Sequence, residues 1–199
     1  MPITSYNPYV YANLPDFFQS KAMLVHCDAY IKKLGAVIVE YGFSENFGVA
    51  LLHKHFNLYN DELLLRSVSV NRMEVAPSNK GESEVIGYMW AFAKTHINYS
   101  FCLYPVEFLH EQSAPKWAQD AIYTMTKNSE FLLKYFDTLA RMGLSNYFGI
   151  GLIPRRLFDM EDADTLMESD NLLQRRLYID VVPQKNLEGI DATQTLWIF

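Results

Sequence analysis

Residues 42–52, GFSENFGVALL, combine a glycine suited to ending a helix with the start of an apolar strand. The pattern recurs at 143–153 as GLSNYFGIGLI, with five identical positions. In both copies an amphipathic helix pattern precedes the glycine and a strand pattern follows it. The sequence therefore predicts a helix–turn–strand unit that is present twice. One explanation is an internal duplication with halves 14–110 and 115–199, and the other is a chance match.

The helix patterns are defined by apolar side chains that recur every three or four residues on one face. They cover residues 20–41 and 130–142, and a short helix or irregular segment is expected at 114–128. Ser20 is a suitable N-cap for the first helix. Gly42 and Gly143 follow the last apolar positions, where the left-handed conformation favours glycine. Two main helices are therefore predicted.

The remaining chain is rich in aromatic and β-branched residues and predicts strands. We expect strands at 47–56, 62–70, 84–93, 99–109, 148–153, 172–182 and 195–199, with a short run at 71–75. The five residues 57–61 are a short, turn-rich connection that favours a hairpin of the first two strands. Pro105 indicates an edge or a bulge. The acidic segment 159–170 is expected to be a loop.

These elements predict an α+β fold in a single domain, residues 1–199, built as two similar helix–strand halves if the duplication is real. Its sheet is expected to be antiparallel and curved, or a half-barrel, and to pack against the two main helices. With 199 residues, of which 50% are hydrophobic, the chain can bury a substantial core.

Composition and motifs exclude several functional classes. A net charge of −6 argues against a nucleic-acid partner, which requires a basic surface. Neither a run of 18 apolar residues nor a secretory signal is present, so no membrane association is expected. The two cysteines are then reduced thiols of a cytoplasmic protein. GxGxxG and GxxxxGK[ST] motifs are absent, so no nucleotide cofactor is expected.

The strand pattern 47–56, FGVALLHKHF, ends in two histidines one residue apart. Because strand side chains alternate between faces, His53 and His55 are expected to project to the same side. Two such imidazoles can bind one divalent transition metal, Zn, Fe or Cu, if a third ligand is nearby. A hairpin register that pairs His55 with Glu62 supplies that carboxylate. A register shifted by one residue pairs His55 with Leu63 and removes it.

The histidine pair also has interpretations that need no metal. His53 and His55 are catalytic acid–base or substrate-binding groups assisted by Glu107, or they are ordinary strand-end side chains without a chemical role. Zinc-enzyme motifs such as HExxH and paired CxxC are absent. Further candidate ligands for which spacing gives no argument are His96, His110, Glu107 and Glu111.

Arg155 and Arg156 form a basic pair in an acidic chain. Guanidinium groups bind carboxylates and phosphates, so we expect this pair to orient an anionic group of a substrate. Trp90 is expected to contribute an aromatic wall of the substrate pocket. The arginines are equally able to pair with the acidic segment 159–170.

Together these features favour a small-molecule enzyme with a histidine-centred pocket, metal-dependent or not, acting on a small substrate that carries an anionic group. The alternative is a non-catalytic module that binds a small ligand or another protein. Its aromatic surfaces would also suit a homodimer. No family resemblance supports either interpretation.

Overall fold

The fold of the chain is described by a computed structural model, which covers residues 5–79, 85–94, 101–158 and 160–199. Among these residues five α-helices are formed: α1 Pro8–Ala12, α2 Phe17–Met23, α3 Asp28–Glu40, α4 Lys116–Lys127 and α5 Ser129–Met142. The strands are β1 Phe47–Leu51, β2 Glu62–Val68, β3 Arg72–Asn79, β4 Val85–Lys94, β5 Phe101–His110, β6 Phe148–Leu152, β7 Asp164–Asn171, β8 Arg176–Pro183 and β9 Leu196–Trp197. In these segments no helix is long and apolar enough to cross a membrane. The candidate ligand His96 lies outside the described residues.

The strands form one curled sheet in the order β7-β8-β3-β2-β5-β4-β6-β1-β9. Neighbouring strands are antiparallel, except that β2 and β5 are parallel. The long helices α3 and α5 contact each other and bury their apolar faces in the same hydrophobic core as the sheet. The predicted α+β fold with a curved half-barrel sheet is confirmed, although the sheet is mixed rather than wholly antiparallel.

The first predicted helix is two helices joined by a 3-10 turn at Leu24–His26. The apolar spacing of three to four residues is the same for this broken arrangement as for a continuous helix. Asp16, not Ser20, caps α2, and its side chain accepts a hydrogen bond from the Gln19 amide. Ser20 is buried, and its Oγ donates to the Leu52 carbonyl at 2.8 Å.

The glycines that follow the two main helices are as predicted. Gly42 has φ +73° and Gly143 has φ +68°, both in the left-handed region. In each unit a strand begins five residues after the glycine. This helix–turn–strand geometry positions β1 and β6 side by side.

The predicted hairpin between β1 and β2 is wrong. β1 pairs with β6 and β9, so both of its edges are occupied, and β2 pairs instead with β3 and β5. β1 also ends at Leu51, earlier than predicted, because the chain turns away and the Lys54 amide donates to the Pro15 carbonyl. Long-range pairing therefore overrides the local turn signal in residues 57–61.

The acidic segment that was expected to be a loop contains β7. This strand pairs with β8 along its whole length, from Asp164 opposite Pro183 to Asn171 opposite Arg176. Alternation along β7 places Leu166, Glu168 and Asp170 on one face. Carboxylates on that face are therefore carried by a regular strand at the end of the sheet order.

Two smaller predictions concern the sheet interior and its far edge. Pro105 lies in β5 between two partner strands, not at an edge. The adjacent residues Met89 and Trp90 of β4 pair with Glu107 and Pro105, so Val106 is an extra residue in β5 beside the proline, and the expected bulge is found there. The C-terminal strand β9 pairs with β1 through Val49 opposite Trp197, as predicted for an apolar terminus.

The pairing of β1 with β6 is symmetric about Val49 and Ile150. Phe47 lies opposite Leu152, and Leu51 lies opposite Phe148. Since Phe47 corresponds to Phe148 in the repeated pattern, this is the pairing that a local two-fold axis would produce. The internal duplication itself stays a prediction.

Candidate metal centre

His53 and His55 follow the end of β1 and face each other, with ring centroids 4.5 Å apart. Both side chains are buried, at 5% and 3% exposure. Phe17 of α2 packs with its ring edge-on to His53, at 5.2 Å between centroids. The expectation that the two imidazoles share one side is met, although β1 ends before them.

The carboxylate that faces both imidazoles belongs to Glu168 of β7. Its Oε1 lies 3.7 Å from His53 Nε2 and 3.7 Å from His55 Nδ1. The ligand atoms of the three side chains all lie within 4.8 Å of one another. Bond lengths of about 2.1 Å in a tetrahedral centre would separate such atoms by roughly 3.4 Å. A small contraction of this cluster would therefore accommodate a metal ion.

The two nitrogens that face Glu168 have no hydrogen-bond partner in the described part of the chain. His53 Nδ1 lies 3.0 Å from the Leu51 carbonyl, which can only accept, so this nitrogen carries the proton. If the second nitrogen, Nε2, carries no proton, it directs a lone pair at a carboxylate oxygen. Because buried polar atoms are normally paired, a cation between these groups is physically favoured.

Several buried polar side chains lie next to Nε2 of His55, on the edge of the ring away from Nδ1. Its Nε2 lies 3.9 Å from Glu107 Oε1. Arg66 donates to Glu107 Oε2 from Nε at 2.5 Å, and a second guanidinium nitrogen pairs with the same oxygen. The guanidinium also stacks over the Tyr88 ring at 4.1 Å and donates to Met73 Sδ. A carboxylate behind a ligating histidine is the usual way in which proteins orient such a ring.

The cluster is rich in negative charge. Glu107, Glu168 and Asp170, whose Oδ1 lies 3.4 Å from His55 Nδ1, are opposed by the single guanidinium of Arg66. With neutral imidazoles these groups leave two negative charges, and the carboxylates not paired with Arg66, those of Glu168 and Asp170, are 26% and 39% exposed. Like charges this close repel each other, and a divalent cation or protonated imidazoles would compensate them.

The electrostatic field of the cluster shifts two pKa values. Desolvation alone would raise the pKa of Glu168, but its interactions with His53, His55 and Arg66 outweigh this and lower it to about 2. Desolvation likewise opposes protonation of His55, yet Asp170, Glu168 and Glu107 together raise its pKa. Without a metal, the cluster therefore holds an ionised Glu168 beside an imidazole that binds a proton more readily than usual.

A cleft of about 830 Å³ opens beside the cluster. Its walls are formed by β7, the end of β6 and the C-terminal residues 187–198. Glu168 and Phe17, which contact the histidines, are part of the wall, whereas the two imidazole rings are not. A molecule in the cleft would therefore approach the cluster from the Glu168 side.

Glu62, the carboxylate that the sequence assigned to the metal, lies in a different interaction. It accepts hydrogen bonds from Arg175 Nη1 at 3.0 Å and Nη2 at 2.5 Å. Arg175 also stacks over the Tyr59 ring. The physical reason is that β2 does not pair with β1, so Glu62 never lies across from His55. Glu168 takes the place that was expected of Glu62.

The remaining predicted site residues are separated by the fold. Glu107 does lie beside His55, and Arg155 lines the cleft. Arg156 instead stacks over the Trp117 ring at 4.1 Å and hydrogen-bonds to the Asn46 side chain. Trp90 is a core residue with 2% exposure that packs against Phe47, so it does not line the cleft.

Sequence reasoning missed Glu168, Asp170 and Arg66. A weak signal existed for the two carboxylates, because Leu166, Glu168 and Asp170 alternate with Thr165 and Met167 as a strand would require. Arg66 was marked by its place in the apolar run of β2, where a charged side chain must find a buried partner. Which residues these groups would meet depended on the strand order.

Comparison with known proteins adds no family to this picture: no protein-family model, curated protein or solved structure matches the chain. The candidate site is therefore the group of residues that the fold brings together. It consists of His53, His55 and Glu168, with Glu107 and Arg66 supporting His55.

Proposed function

We propose that the protein is a small-molecule enzyme that binds one divalent transition metal at His53, His55 and Glu168. The observation that carries the proposal is that two buried imidazole nitrogens without hydrogen-bond partners face the same carboxylate oxygen. Two histidines and one carboxylate are the ligands of many catalytic zinc and non-haem iron centres. Zn and Fe fit this donor set better than Cu.

Three protein ligands would leave positions on the metal for water and substrate, where the ion would act as a Lewis acid or redox centre. Glu107 and Arg66 would hold the His55 ring in the orientation that directs Nδ1 at the ion. Asp170 is partly exposed and lies 3.4 Å from His55 Nδ1, so it is placed to accept a proton at the cleft. The cleft beside Glu168 would admit a small substrate, and Arg155 on its wall would bind an anionic group.

A metal-free enzyme is the second candidate, and the raised pKa of His55 favours it. In that case a proton would pass from His55 to a molecule in the cleft through Asp170, which lines the cleft and lies 3.4 Å from Nδ1, and Glu168 would stabilise the charged imidazole. A non-catalytic ligand-binding protein would use the same cleft without reacting groups. These alternatives differ from the metalloenzyme in metal content.

The deciding experiment is elemental analysis of protein purified without a metal-affinity tag, before and after loading with Zn²⁺ or, under anaerobic conditions, Fe²⁺. We expect about one ion per chain. Variants His53→Ala, His55→Ala and Glu168→Ala should each lose it, because two ligands hold a transition metal poorly. Matched controls are His26→Ala, an exposed histidine, and Glu188→Ala, an exposed glutamate, and both should retain the ion.

Removing the support behind His55 should have a smaller effect. Glu107→Gln is expected to lower the metal affinity about 10- to 100-fold, as is typical of residues that orient a ligand. The Co²⁺-substituted protein would report the change through its visible absorption. A wild-type chain that takes up no ion under these conditions would reject the metal centre and leave the acid–base alternative.

A further inference from the structure

The wall of the cleft indicates the class of molecule that it accepts. The described wall carries charged residues at several places, among them Arg155, Asp164, Glu168 and Asp191, and a polar run at 193–195. Between them it is aliphatic or methionine, including Met89, Leu152, Met160, Leu166, Ile179 and Leu196. Such a surface favours an apolar ligand, and methionine side chains adapt to ligands of different shape. A small, strongly hydrated anion would leave this surface uncovered.

Three cations line the cleft among the described residues, and they differ in how their charge is compensated. Lys21 is hydrogen-bonded to Asp191 at 3.0 Å, and Arg66 is bound to the buried Glu107. Arg155 donates to the Glu161 carbonyl and has Asp162 only at 3.7 Å. Since Asp162 is fully exposed, this pair is weak and a ligand carboxylate could replace it.

Arg155 lies near the start of β7, whereas Glu168 of the metal centre lies in the middle of this strand. Arg155 donates to Glu161, whose own amide donates to Asp164 at the start of the strand. Glu168 is four residues further along, which corresponds to about 13 Å. Leu166 lies between them on the same face. A ligand that contacts both Arg155 and the metal centre therefore needs an apolar body of about this length.

We propose that the substrate is an elongated, largely apolar molecule with a single carboxylate, which binds Arg155 while the apolar body extends along β7 toward the metal centre. This inference rests on the proposed function, because the metal centre defines where the reacting part of the molecule lies. The carboxylate of the substrate contributes to binding and lies far from the reacting part of the molecule. The wall then selects for length and apolarity, and Arg155 selects for charge.

Decanoate is a suitable probe because its extended chain is comparable in length to this span. Isothermal titration calorimetry would compare it with decanol and decylamine, which share the apolar chain but lack the negative charge, and with butanoate, which lacks the chain. We expect decanoate to bind about tenfold more tightly than decanol, and decylamine and butanoate to bind weakest. Arg155→Gln should reduce decanoate to the affinity of decanol, whereas the exposed Arg141→Gln should change nothing.

The His55→Ala variant separates this inference from the metal centre. It should lose the metal and still prefer decanoate over decanol, because Arg155 is unchanged. If His55→Ala and not Arg155→Gln abolishes that preference, the carboxylate binds the metal and the inference is overturned. Equal binding of decanoate and decylamine would also overturn it. Decanoate selectivity in a wild-type chain that binds no metal would reject the metal centre alone.

Discussion

The chain segments after β1 and β6 each follow a helix–turn–strand unit of similar geometry, but they form different surfaces. After β1 the sequence Leu52-His53-Lys54-His55 brings two imidazoles into a buried cluster. After β6 a 3-10 turn, Pro154–Leu157, carries two arginines with substantial exposure. Because β1 and β6 are antiparallel, the two segments leave opposite ends of the strand pair.

Under the proposed function, the two segments would supply different parts of the site. The segment after β1 is covered by α2 and faces β7, so its buried histidines lie beside the carboxylate of Glu168. Arg155 and Arg156 pair with partners at the surface. The buried segment is therefore suited to hold a reacting group, and the exposed segment is suited to exchange partners.

The largest expected effect is on stability, and it concerns the buried ion pair of Arg66 and Glu107 beside His55. Arg66→Ala should lower the free energy of unfolding by about 3–5 kcal/mol, because it leaves Glu107 buried without its partner. Arg156→Ala, on the exposed segment, should cost about 1 kcal/mol or less. Denaturant unfolding monitored by circular dichroism would measure both.

A third variant tests the reason for this difference. Arg66→Ala combined with Glu107→Ala removes both charges and should recover part of the loss, because an unpaired buried carboxylate is worse than none. Similar losses for Arg66→Ala and Arg156→Ala would contradict the contrast between a buried and an exposed segment.

An intermediate effect is expected at Glu62, which ties the loop after His55 to the turn between β7 and β8. Glu62→Gln should cost about 1–2 kcal/mol, since the charge-assisted pair with the partly exposed Arg175 is lost. The matched control is Glu74→Gln, whose partner Arg176 is more exposed, and it should cost about 0.5 kcal/mol. Denaturant unfolding at neutral pH measures both.

The same pair has a predictable pH dependence. Hydrogen bonding from Arg175 lowers the pKa of Glu62 below its ordinary value. Its stabilisation is therefore present above the unfolded-state pKa, about 4.3, and is lost as pH falls through the lower pKa of the folded state. The stability difference between wild type and Glu62→Gln should shrink as pH falls below about 4. A difference that stayed constant to pH 3 would contradict the ionised pair.

The sequence predicted those features that depend on local chemistry. The ends of α3 and α5 at Gly42 and Gly143 follow from the need for a left-handed residue after a helix. The shared direction of His53 and His55 follows from their spacing. These features required no knowledge of distant residues, and the structure retains them.

The features that failed depend on which strands meet. The pairing of β1 with β6 joins residues about 100 positions apart, so nothing in the turn at 57–61 could reveal it. A loop is predicted around Glu168 because the acidic segment has a single β-branched residue, Thr165, and no aromatic residue to indicate a strand. Its strand is held by β8, and its carboxylate is useful only because the curl of the sheet brings β7 to the histidines.

The smallest effect tests whether the two helix–turn–strand units are equivalent. Gly42→Ala and Gly143→Ala place a side chain in the left-handed region, at a cost of about 1 kcal/mol each. The added Cβ would meet no atom within 4 Å in either turn, so backbone strain alone should determine the loss. Equal losses in denaturant unfolding would support two equivalent turns. Losses that differ by more than about 1 kcal/mol would show that the two turns are not equivalent.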